Sequence, residues 1–72
     1  MEREIVEHWI DNLMNACGVK KLEDVPKCAI EYEIRQAEGD IKNQQMWDDK
    51  FGIICNETYI EMLKDALERC KK

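Results

Sequence analysis

The stretch from Val25 to Gly52, VPKCAIEYEIRQAEGDIKNQQMWDDKFG, decides how this chain folds. Its first half places Ile30, Ile34, Ala37 and Ile41 at intervals of four, three and four. That spacing puts one apolar row on one face of an α-helix. Pro26 suits a first helical turn, where a missing N–H costs nothing, and Asp24 is the expected N-cap. Gly39 weakens a helix by about 1 kcal/mol relative to Ala, but no further turn chemistry follows it, so the helix is read as continuous. Beyond Ile41 the row turns polar at Gln44, Gln45 and Asp48, while Met46, Trp47 and Phe51 occupy another sector. Gly52 reads as the left-handed residue that stops the helix, with Ile53 folding back towards Trp47.

Upstream, Ile5, Val6, Trp9, Ile10, Leu13, Met14 and Cys17 make a broad stripe of the same period. Gly18 then reads as a left-handed stop, with Val19 returning to Met14. Downstream, Asn56 reads as the N-cap of a last helix, with Cys55 and Ile60 in staple positions. That helix carries Tyr59, Ile60, Leu63, Leu67 and Cys70 on its apolar side, flanked by Met62 and Ala66. The spacing therefore predicts an all-α, single-domain chain over residues 1–72. Its three helices are expected near 3–17, 25–51 and 57–71, with a long middle helix. One long helix between two short ones leaves apolar surface uncovered, so the bundle is expected to be completed by self-association.

Size sharpens that expectation. A chain of 72 residues buries a modest fraction of its unfolded surface, and partners commonly make up the deficit. The formal charge is −5, with 38% charged residues, which disfavours direct contact with nucleic acid or an anionic membrane. No apolar run approaches a membrane span, and the N-terminus lacks the basic-then-apolar pattern of a secretory signal. The expected address is the cytoplasm. There the four cysteines, 17, 28, 55 and 70, stay reduced; their separations fit no zinc-finger spacing.

Candidate chemistry is sparse. His8 is the one histidine, and the residue three before it is Ile5, not the Glu that a di-metal bundle uses. Cys28 lies in a first helical turn beside Lys27, a setting that lowers thiol pKa, but no base is placed to serve it. Cys17 and Cys28, at facing helix ends, could bridge in an oxidising compartment. Phosphate loops, serine elbows and dinucleotide fingerprints are absent. The chain is therefore expected to be no enzyme and to use no cofactor and no metal.

The primary functional expectation is a small interaction protein that self-associates and binds, bridges or blocks another macromolecule, most simply another protein. Met46, Trp47 and Phe51 are the candidate interface, with Trp47 as anchor. A first alternative is an acidic decoy for a nucleic-acid-binding enzyme, presenting Glu57, Glu61, Asp65 and Glu68 from one helix face, of the kind mobile elements use against host defences. A second is a binder of small anionic ligands between subunits, using Lys20, Lys21, Lys27 and Arg35.

Overall fold

The computed structural model describes residues 2–69, which form three α-helices and a short 3-10 turn, with no strand among them. The helices are α1 (Glu2–Cys17), α2 (Lys27–Met46) and α3 (Lys50–Arg69); the 3-10 turn spans Leu22–Asp24. The all-α, three-helix expectation holds.

The first stop is as the sequence reads. Gly18 has φ +68°, its N–H donates to the Asn15 carbonyl at 3.2 Å, and the Val19 N–H donates to Met14 at 3.0 Å. This paired return is a Schellman stop. The start of α2 differs from expectation. Asp24 belongs to the 3-10 turn, and Pro26 is the cap residue; its carbonyl accepts from the N–H groups of Ala29 and Ile30. The helix then runs unbroken through Gly39.

The larger correction lies between α2 and α3. The middle helix ends at Met46, not at residue 51, and α3 begins at Lys50, not at residue 57. The left-handed residue is Asp48, with φ 55°, rather than Gly52. The Asp49 N–H donates to the Gln44 carbonyl at 2.8 Å and the Asp48 N–H to that of Gln45 at 3.4 Å. This is the Schellman pattern again, with an aspartate in a position that glycine usually fills. Asp49 then caps α3: its Oδ1 accepts from the Gly52 N–H at 3.0 Å. Gly52 is a first-turn residue of α3, and a Cβ there would lie 2.4 Å from Asp49 Oδ2. Asn56, read as a cap, is instead buried inside α3. The two later helices are both 20 residues long, so the mismatch between a long middle helix and short flanking ones does not exist.

Starting α3 early places Cys55, Tyr59, Leu63 and Ala66 in one buried row. Val6 and Ile10 of α1, Val25 of the connector, and Ile30 and Ala37 of α2 pack with it to complete the core. Trp9, Leu13, Ile34, Ile41 and Leu67 cover its margins. Both α1 and α2 lean chiefly on α3 rather than on each other. At the far end, Arg69 pairs with Asp65 and lies 3.7 Å from Glu23, which ties the connector to the end of α3.

Candidate functional site

Two features stand out on this scaffold: an apolar corner and a cleft. The corner follows from the α2–α3 turn. Reversing the chain through residues 47–49 leaves the last side chains of α2 and the first of α3 at one end of the helical hairpin, beyond the core. Met46 is 81% exposed and Trp47 82%. Phe51 and Ile54, one turn apart on α3, are 50% and 45% exposed. Met46, Trp47 and Phe51 thus lie outside the core, all three at the turn, and Ile54 joins them. Large apolar side chains gathered in this way mark contact surfaces in soluble proteins.

The cleft lies between α1 and α2, which both rest on α3 rather than on each other. Its volume is about 500 Å³. Trp9, Asn12, Leu13 and Ala16 form the α1 wall. Glu33, Gln36, Ala37, Asp40 and Gln44 form the α2 wall, with Asn56 and Tyr59 of α3 below. Tyr59 organises the floor. Its hydroxyl donates to Glu33 Oε1 at 2.9 Å, and its ring meets Trp9 edge-on, with centroids 5.4 Å apart at 75°. Burial, and then the Glu33 carboxylate that accepts its proton, push the phenol pKa well above the ordinary value. At the other end Asn56 Nδ2 donates to Gln44 Oε1 at 3.0 Å and to the Gly52 carbonyl at 3.3 Å. The polar break that follows Ile41 is therefore a half-buried amide pair between α2 and α3. Among the described residues, every ionisable side chain on the cleft's walls and floor is acidic or phenolic: Glu33, Asp40 and Tyr59.

The remaining candidates are scattered. Glu57, Glu61, Asp65 and Glu68 are all exposed on α3. Glu61 and Asp65 border a groove against Glu2 and Arg3 of α1, and Asp65 is bound by Arg69. Lys20 and Lys21 border another groove together with Arg69, whereas Lys27 and Arg35 are exposed on α2 and line neither that groove nor the cleft. His8 is exposed on α1. Cys17, Cys28 and Cys55 carry free thiols; Cys55 is buried, and its pKa is raised by that burial and then by Glu2 and Asp49. Cys70 lies outside the described residues. No cluster of three or more His, Cys, Asp or Glu that could hold a metal is present among the described residues. None of the described helices is long and apolar enough to cross a membrane.

Sequence reasoning missed the cleft. Its elements were visible singly: Glu33 beside the apolar row of α2, Gln44 where that row fails, and Trp9 in the first stripe. Nothing in a linear pattern says that α1 and α2 both rest on α3 and leave a gap between them.

Together the fold and its surfaces define a small three-helix protein with an apolar corner and an acidic, aromatic-floored cleft. No family model, curated protein or solved structure matches the chain.

Proposed function

We propose that this chain is a small non-catalytic interaction protein that self-associates through the α2–α3 corner and acts by binding another macromolecule. The supporting observation is the exposure of Trp47 together with Met46, Phe51 and Ile54. Four such side chains offer on the order of 500 Å² of largely apolar surface, against about 800 Å² per partner in a standard interface. Burying it at ~25 cal/mol per Å² gives a gross gain of about 12 kcal/mol, comparable with the cost of association. A tryptophan is the kind of anchor that leaves a surplus. In this reading the protein works in the cytoplasm with reduced thiols, carries out no reaction, and touches neither nucleic acid nor membrane directly.

Sedimentation velocity over a wide concentration range tests it. The wild type should run heavier than one chain at micromolar concentration. Trp47→Ser should run as a monomer with unchanged helix content. A wild-type monomer throughout removes self-association from the proposal.

A further inference from the structure

The α1–α2 cleft is a second surface that shares no residue with the corner, and it does not depend on self-association. We infer that it receives a basic amphipathic helix from another protein.

Shape is the first ground. The α2 wall runs from Glu33 to Gln44, and the α1 wall from Trp9 to Ala16. At 1.5 Å per residue these are troughs about 16 Å and 10 Å long, two to three turns of a helix. Helices that lie in grooves place apolar anchors at i, i+3 or i+4, and i+7. The trough supplies apolar contacts in the half-buried Trp9 and Leu13 and the exposed Ala16, over a floor of buried Ala37 and Tyr59. Two helices already rest side by side on α3, and an incoming helix would lie between them and complete a four-helix arrangement.

Charge is the second ground, and it selects the partner. Glu33 and Asp40 stand seven residues apart on the same wall, two turns of α2. Among the described residues no Lys, Arg or His lines the cleft. The whole chain carries −5, so its field also favours a cationic partner. Lysines or arginines at i and i+7 of an incoming helix would meet the two carboxylates. Asn12 and Gln36 at the edges can donate to or accept from its polar side. Tyr59 holds Glu33 in place through the 2.9 Å bond, so this carboxylate is positioned before any partner arrives. An acidic helix would meet like charge, and a purely apolar one would desolvate two carboxylates with no cation to balance them.

The test uses the full chain with Trp47→Phe, which leaves Trp9 as the single tryptophan. The probe is a synthetic helical peptide of about 16 residues with leucines on one face and lysines on the other. Its twin carries glutamate in place of lysine. Titration of the lysine peptide should shift Trp9 emission to shorter wavelength, with saturation in the micromolar range. Glu33→Gln combined with Asp40→Asn should weaken binding about tenfold and flatten its salt dependence. Asp40→Asn alone, which disturbs no core contact, should account for part of that loss. Removing the same charge elsewhere, by Glu57→Gln with Glu61→Gln, should change affinity less than about twofold. The inference is overturned if the lysine peptide leaves Trp9 unchanged. It is equally overturned if the glutamate twin binds as well, or if the Glu57 and Glu61 variant loses as much affinity as the cleft variant. Trp9 shielded by concentration alone, in step with dimer formation, would assign the cleft to a second copy and overturn it too. Failure of the Trp47 experiment leaves each of these readouts intact.

Discussion

The Tyr59 hydroxyl donates to Glu33 Oε1 at 2.9 Å, joining α3 to α2, while the same ring meets Trp9 of α1 edge-on. One side chain therefore touches all three helices and contributes to the floor of the cleft.

Tyr59→Phe keeps the ring and removes the bond. A hydrogen bond to a charged acceptor contributes about 1.5–3 kcal/mol, so chemical denaturation should show a loss of that order. The variant should also change the alkaline limb. The phenol pKa is raised in the folded state, so the unfolded chain releases this proton first. The contribution is complete below about pH 10 and falls as pH rises further, by up to about 1.4 kcal/mol per pH unit. Stability measured from pH 9 to 11 should fall less steeply in Tyr59→Phe than in the wild type; identical limbs would remove Tyr59 as the cause.

Asp48 sits at φ 55°, a conformation that costs L-residues energy and glycine little. Asp48→Gly should raise stability by about 0.5 kcal/mol, and Asp48→Ala should lower it by a similar amount. Thermal melts of the pair read the difference as a few degrees in opposite directions. A stabilising alanine would contradict the turn.

Asn56 is buried and its Nδ2 donates to Gln44 and to the Gly52 carbonyl. Asn56→Ala leaves those acceptors without this donor and should cost about 1–3 kcal/mol. A double-mutant cycle with Gln44→Ala should show coupling above about 0.5 kcal/mol, because the two side chains share one bond. Were Asn56 a surface cap, its removal would show no such coupling with Gln44.

Trp47 and Leu63 separate surface from core. Leu63 is fully buried, and Leu63→Ala should cost about 2–5 kcal/mol, enough to unfold much of a chain this small. Trp47→Ala, measured at a concentration where only monomer is present, should stay within about 0.5 kcal/mol of wild type. A core-sized loss at Trp47 would place the indole inside.

Thiol reactivity should follow burial. Without denaturant, alkylation followed by peptide mass mapping should label Cys28 first, Cys17 more slowly and Cys55 last. Cys55 is buried and its pKa is raised, so little thiolate is exposed to the reagent at neutral pH. Fast labelling of Cys55 in the folded protein would mean that α3 opens near its start.

The sequence by itself determined the helical class, the α1 stop at Gly18, the continuity of α2 across Gly39, and the apolar rows. Each is set by neighbours within about one or two turns, and the 3.6-residue period records them directly. The turn between α2 and α3 was decided elsewhere. Gly52 is the better stop on local propensity, and Asn56 is as good a cap as Asp49. An earlier reversal wins because it buries Cys55 beside Tyr59 and Leu63 and lets Asn56 bond Gln44, twelve residues back. That gain comes from contacts between helices, which no local pattern contains. The same holds for the cleft. Trp9, Glu33 and Tyr59 are 24 and 26 residues apart in sequence, and only the packing of two helices on a third brings them to one place.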